Sequence, residues 1–302
     1  MSLPAGESAT KSSAGTCSPD AAILTDPDGQ FARNFNSKPF HFQHGLKDHP
    51  LFDLSNLTGL AKRLSESGAY WSNGAAKISD GWEVNSAPRL TLIETIANIG
   101  DDNSLVILKN VGQDPVYGPL LQTLFDKIAE FAGPQIRQDI VRCHASILIS
   151  SPNRLTSYHM DADCNFLMQA VGNKTLWVYD HNDRALVPHE AREAFYGGNL
   201  NSISYPQGKA AGTAYELQAG EGVHMPLFAP HWARNHDNIS VAVAIMFDLR
   251  PVIEQGRIYR VNRVLRKLGA TPTPPGVSSW RDRLKLAAAD GYYAVKGFLR
   301  RS

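Results

Sequence analysis

The sequence predicts a mainly β protein with flanking helices, its antiparallel sandwich or barrel spanning residues 140–250. Three observations carry this prediction. From Ile140 onward the chain breaks into short β-rich runs separated by Gly, Pro, Asn and Asp. The segments on either side instead place apolar residues at helical spacing. With 43% hydrophobic and 20% charged residues among 302, there is enough apolar material for one sizeable core or two small ones, which excludes a disordered chain.

Residues 1–30 are small and polar without sustained periodicity and read as a flexible leader. Residues 31–139 form an N-terminal arm and helices packing on the core. The arm, 31–52, carries Phe35, Phe40, Phe42 and Leu51 among three histidines and reads as irregular. Asp53 or Ser55 can cap a helix bearing Leu57, Leu60, Ala61 and Leu64, and 90–99 and 119–132 repeat the helical pattern, with a buried strand at 104–109 between them. Strands follow at 142–150, 166–171, 175–179, 213–218, 223–227 and 240–248, interrupted by a long insertion at 181–209. Residues 251–302 return to helix, at 255–268 and 280–299, around a Pro-rich link.

The net charge of +1 supplies no global field for nucleic acid or an acidic membrane, yet it hides an uneven distribution. Residues 257–302 carry eleven Lys and Arg against Asp282 and Asp290, hence +9, and the remainder carries −8. One reading makes this tail a surface for nucleic acid or anionic lipid, with Tyr292, Tyr293 and Phe298 between the basic residues. The preferred reading is a pair of amphipathic helices packed on the barrel or against a second copy in a homodimer, because basic helices are common. Cys17, Cys143 and Cys164 are too few and scattered for a disulfide framework or a zinc finger and favour a reducing compartment. The longest apolar runs are strand-sized and the N-terminus has no secretory pattern, so a cytoplasmic location is expected, with no transmembrane segment.

The strongest local signal is Tyr158-His159-Met160-Asp161. In an extended strand, residues two apart share a face, so His159 and Asp161 can bind one metal ion. A bare His-x-Asp pair is weak. It gains weight from His231, which follows Pro226-Leu227-Phe228-Ala229-Pro230, where a bend can return it beside the pair. Two histidines and one carboxylate with open positions are the donor set of mononuclear non-haem Fe(II) oxygenases, although zinc accepts the same ligands. His224 and His236 compete with His231; His224 sits inside a strand, and loop polarity accounts for His236. Asp163 faces the same side as Asp161 but falls toward a turn, where it backs the site or faces substrate.

The segment Leu155-Thr156-Ser157-Tyr158-His159-Met160-Asp161, with Asn165-Phe166-Leu167-Met168-Gln169 and Gly172-Asn173-Lys174, resembles the metal-binding core of the JmjC and cupin-like 2-oxoglutarate oxygenases. It is most similar to the branch containing the asparaginyl hydroxylase of hypoxia-inducible factor. In that branch a threonine three residues before the first metal histidine, an asparagine six after it and a lysine fifteen after it line the co-substrate pocket; Thr156, Asn165 and Lys174 match. Pro226, five residues before His231, matches a further element. The resemblance covers about a third of the chain, 141–247, and implies a double-stranded β-helix, a jelly roll, with Fe(II), 2-oxoglutarate and O2 as cofactor and co-substrates. Departures are Pro230 where the family often has an aromatic residue, Gly220-Glu221 where it has Gly-Asp, and no counterpart of an asparagine in the last core strand. They bear on substrate and secondary co-substrate contacts.

The resemblance therefore implies oxidative decarboxylation of 2-oxoglutarate to succinate coupled to substrate C–H hydroxylation. His159, Asp161 and His231 would hold the metal, Lys174 and Thr156 the distal carboxylate, and Asn165 the chelating end. The substrate, small molecule or protein, is not legible; Tyr158, Trp71, Trp82, Trp177, Trp232, Arg234 and Asn235 are candidates for the pocket mouth. Histone demethylation is disfavoured because no chromatin-reading module accompanies the core. The alternatives are a non-catalytic cupin-like metal- or metabolite-binding regulator contacting nucleic acid through its basic helices, and a zinc or manganese cupin performing isomerisation or hydrolysis.

Overall fold

The computed structural model describes residues 23–64, 68–81, 88–208 and 210–299. Cys17 and Trp82, and the side chains of Tyr292, Tyr293 and Phe298, lie outside the described part. Two antiparallel sheets face each other. The larger runs in the order β1 (Leu24–Thr25), β2 (Phe40–His44), β10 (Glu221–Met225), β7 (Cys164–Val171), β12 (Ser240–Leu249), β5 (Ile140–Ser150), β4 (Leu105–Leu108), β3 (Ala69–Ser72). The smaller runs β6 (Leu155–His159), β11 (His231–Asn235), β8 (Lys174–Val178), β9 (Thr213–Leu217). Strands β5 to β12 make the jelly roll that the resemblance implied, and the other four strands widen its larger sheet.

Alternation along the strands builds two cores from one sheet. On β12, Val241, Val243, Ile245 and Phe247 pack outward under the N-terminal helices, while Ala242 and Ala244 face the smaller sheet. The inward alanines are small, which leaves room inside the barrel. Outside, helices α1 (Gln30–Asn34), α2 (Leu54–Arg63), α3 (Leu92–Ala97), α4 (Gly118–Ala132) and α5 (Pro134–Asp139) cover the sheet. Phe31 is fully buried at their centre, its ring 5.1–5.6 Å from Phe40, Phe42, Phe131 and Phe166. Each ring of this kind contributes about 1.5–3 kcal/mol on burial.

Several elements differ from the sequence expectations. The arm is not irregular: Phe40, Phe42 and His44 alternate inward as β2, paired with β10 from Glu221↔Gln43 to His224↔Phe40. Within the stretch expected as a leader, Leu24–Thr25 pairs with β2 as a strand, and residues 1–22 lie outside the described part. Asp53 occupies the cap position of α2 without a side-chain capping bond, whereas α3 opens on a full capping box between Thr91 and Glu94. The insertion at 181–209 contains a helix, α6 (His189–Tyr196). Helix α7 (Arg250–Lys267) begins five residues earlier than its apolar pattern, because Pro251 fits the first helical turn; α8 (Ser279–Leu299) follows. Among the described residues no helix is long and apolar enough to cross a membrane.

His224, a competing ligand in the sequence, is a buried bridge between barrel and arm. Its Nδ1 bonds the Asn165 carbonyl at 3.0 Å and its Nε2 accepts the Asn36 N–H at 2.9 Å. Its ring packs against Phe35, Phe40 and Phe166. Burial drives its pKa down to about 3, and burial likewise drives that of His44 down to about 4, so both are neutral in the folded state. The unfolded chain takes up these protons near pH 6.5 while the folded one does not. Stability is therefore expected to fall as pH drops below about 6.5, and His224→Phe should remove part of that dependence while destabilising the protein at pH 7 by about 1–3 kcal/mol, since the Asn36 N–H loses its acceptor. Urea unfolding of both proteins between pH 4 and 8 checks this; parallel curves would refute it.

Candidate metal centre

His159 ends β6 and His231 begins β11, and the two strands pair so that these residues are direct cross-strand partners. Their ring centroids lie 4.2 Å apart. The sequence placed Asp161 on the same strand as His159; instead the strand stops at His159 and Asp161 stands in the following loop. His231 follows the bend between Pro226 and Pro230 as expected and is the first residue of the returning strand. The loop reaches the same point: Asp161 Oδ2 is 3.9 Å from His231 Nε2, and one ligand atom from each of the three residues lies within 4.8 Å of the others.

The donor chemistry fits a divalent metal. His159 Nδ1 bonds the Ser157 carbonyl at 2.8 Å and His231 Nδ1 bonds the Ala229 carbonyl at 3.0 Å, which fixes both tautomers and leaves each Nε2 lone pair for a metal. Burial, followed by the neighbouring His159, holds the pKa of His231 down at about 4, so its imidazole is neutral as coordination requires. Asp161 keeps more solvent contact, which suits a site with open positions.

A cavity of about 320 Å³ runs from this triad between the sheets, and Thr156, Asn165 and Lys174 all line it. Gly172 sets the turn before Lys174: its φ of +73° is left-handed, and a Cβ would lie 2.3 Å from the Ile239 carbonyl oxygen. Lys174 is 5% exposed and pairs with Asn235, four residues along β11 from His231. Among the described residues no carboxylate pairs with it, and burial alone pushes its pKa down to about 8. The Asn165 Oδ1 is likewise buried without a partner among the described residues. An anionic group in the cavity would satisfy the Lys174 ammonium, whereas the Asn165 Oδ1, an acceptor, needs a donor.

The other candidates sort differently. His236 bonds Thr175 Oγ1 at 2.9 Å at the far end of β11. Asp163 does not line the cavity; burial and then the Asp161 and Asp248 carboxylates raise its pKa to about 7. Trp177 and Trp232 stack at 3.8 Å on the outer face of the smaller sheet, and Tyr158 packs there too, against Tyr179 and Tyr205. None of the three lines the cavity; for Trp177 and Trp232 the reason is that β8 and β11 turn alternate residues inward and these two face out. Trp71 donates from Nε1 to the Leu90 carbonyl at the rim of the outer core, Arg234 is exposed, and Asn235 donates to Ser150 and Ser151. The cavity lining instead includes Tyr70, Lys109, Asn110, His144 and Ser146, which are half-buried or exposed. Sequence reasoning missed them because they sit on strands β3 to β5 or just beyond, remote from every motif; the only available signal was their parity with inward-facing neighbours.

The basic tail also resolves. Arg266 pairs both oxygens of Glu193 at 2.7 and 3.0 Å, Arg263 donates to the Gly197 carbonyl, Arg260 lies over the Tyr196 ring, and Arg257 pairs with Asp290. Spaced three apart, these arginines fasten α7 to α6 and α8.

No family model matches this chain, and no curated protein sequence matches it. Solved structures do. The X-ray structure of E. coli ycfD aligns at 17% identity over 89% of this chain and 68% of that one, with a TM-score of 0.54. The crystal structure of the Escherichia coli ribosomal oxygenase YcfD aligns at 15% identity over 89% and 67%, with a TM-score of 0.53. The YcfD structure in complex with cobalt and 2-oxoglutarate aligns at 16% over 90% and 68%, with a TM-score of 0.52. At these identities the likeness establishes a shared fold, the jelly roll, and nothing more.

Proposed function

We propose that this chain is an Fe(II)- and 2-oxoglutarate-dependent oxygenase that hydroxylates a substrate C–H bond. The observation that carries the reading is Lys174, a buried ammonium without a counter-ion among the described residues, in the wall of a cavity that begins at a His-Asp-His triad. Four residues of strand separate Lys174 from His231, about 13 Å. A lysine side chain and a five-carbon diacid fill that gap between them. The spacing of Thr156, Asn165 and Lys174 is the ground for likening the pocket to that of the asparaginyl hydroxylase branch.

His159, Asp161 and His231 would hold the iron, which when bound would supply a redox-active site where O2 is reduced by electrons from 2-oxoglutarate and the substrate C–H bond. The chain's own residues do the rest. Lys174 would neutralise the distal carboxylate of the diacid and Thr156 would add a hydroxyl hydrogen bond to it. Asn165 would offer its amide to the keto end. Leu167, Leu176 and Ala244 line the space between and exclude water from it. Free Cys143 and Cys164 accord with a cytoplasmic protein.

The expected result is formation of succinate by iron-loaded protein, and a visible charge-transfer band when 2-oxoglutarate is added to the Fe(II) form without oxygen. Iron-loaded protein that shows neither would remove the reading.

A further inference from the structure

We infer that Arg192, in the insertion between β8 and β9, is a positioning residue for the metal centre and acts through Phe228. Phe228 touches both halves of the triad. Its N–H donates to the Asp161 carbonyl at 2.9 Å, and the next residue supplies the Ala229 carbonyl that fixes the His231 tautomer. It does so with a φ of +62°, a left-handed conformation that a bulky L-residue adopts only where its surroundings impose it.

The surroundings are an aromatic box closed by a cation. The Phe228 ring is fully buried, edge-on to Phe195, Tyr196 and Tyr259, and the Arg192 guanidinium lies 4.9 Å from its centroid. Arg192 is itself 6% exposed and has no carboxylate partner among the described residues; it donates to the His181 carbonyl at 2.6 Å. The adjacent Glu193 is committed to Arg266. A buried arginine that spends its charge on a ring face, while the acid beside it is paired elsewhere, holds that ring in place. Without it the turn at Phe228 is free to relax to negative φ. That takes the N–H away from the Asp161 carbonyl and shifts the Ala229 carbonyl under His231. The four tail arginines that fasten α7 to α6 and α8 are the outer end of the same clamp.

The inference rests on the triad binding a divalent metal, so the test measures that first. Apo protein is titrated with Co(II) against a competing chelator, following the visible absorption of the bound ion, for wild type, Arg192→Met, Phe228→Leu and the double variant. Circular dichroism establishes which of them are folded. Wild type that binds no Co(II) overturns the triad assignment and this inference with it. If wild type binds, each single variant is expected to weaken affinity about 10-fold or more, as losing an outer-shell support does, and the double variant no further than either single. Folded Arg192→Met with wild-type affinity, or losses that multiply in the double variant, would overturn the role of Arg192 while leaving the triad standing. Should Arg192→Met fail to fold, Phe228→Leu decides: a folded variant with wild-type affinity refutes the inference, and a 10-fold loss supports it.

Discussion

Replacing Lys174 with methionine is expected to stabilise the ligand-free protein and to destroy its use of 2-oxoglutarate. The two effects share one cause. Burial lowers the lysine pKa from 10.5 to about 8, which means that holding the ammonium in the cavity wall without a counter-ion among the described residues costs about 3 kcal/mol at neutral pH. Methionine of similar length removes that cost. For the wild type, the folded state releases its proton near pH 8 while the unfolded chain keeps it until about 10.5, so this group's contribution to stability rises between those values. Lys174→Met should flatten that rise. In the ligand-bound enzyme the sign inverts, because a distal carboxylate left buried without its partner loses about 2–5 kcal/mol, or roughly 30- to several-thousand-fold in the KM for 2-oxoglutarate. Thermal melts of the apo proteins and succinate assays across 2-oxoglutarate concentrations measure both arms. A variant that is less stable and saturates with wild-type affinity would show that Lys174 supports the fold and nothing else.

His231→Ala is expected to reduce divalent-metal affinity by at least about 10³-fold, since it removes a ligand outright where loss of an outer-shell support costs 10–100-fold. Succinate formation should fall to the level of metal-free protein. His159→Ala should behave alike, because its Nε2 is presented in the same way and the two rings are cross-strand partners. His224→Phe, by contrast, should bind metal normally, as both ring nitrogens of His224 are engaged by the backbone away from the triad. Isothermal titration with Co(II) separates these outcomes. Equal affinity in wild type and His231→Ala would place the metal elsewhere and sink the assignment.

Much of the barrel was legible because its signals are local. Alternation marks Val241, Val243, Ile245 and Phe247 as one face of a strand whatever they pack against, and the helical spacing of Leu121, Leu124 and Ile128 marks α4 as directly. Element ends were less so. His159 closes its strand because the chain must turn there, and it is the backbone bond from Phe228 to Asp161, between residues sixty-seven positions apart, that brings the carboxylate back. The arm was misread because Phe-His-Phe-Gln-His is a short alternation with polar residues that only a partner strand, β10, makes into β2.

The pocket shows the same division. Residue type and spacing along the chain singled out His159, Asp161 and His231 as a candidate donor set, and the family resemblance added Thr156, Asn165 and Lys174 by their register with it. Neither type nor spacing distinguished the aromatic residues of the outer cluster from those of a mouth. Trp177 and Trp232 sit beside inward-facing residues in sequence, and a strand sends neighbours to opposite faces, so which face meets the cavity depends on how the two sheets are laid together. The same holds for Tyr70, Lys109 and His144, which reach the cavity because β3 and β4 extend the larger sheet past β5. The sequence alone determined a β sandwich or barrel, a candidate donor set of two histidines and an aspartate, and a basic helical tail. Only the tertiary structure decided that Arg257, Arg260, Arg263 and Arg266 of α7 lie against α6 and α8, because their partners Asp290, Tyr196, Gly197 and Glu193 become neighbours only once the insertion and the last two helices pack together.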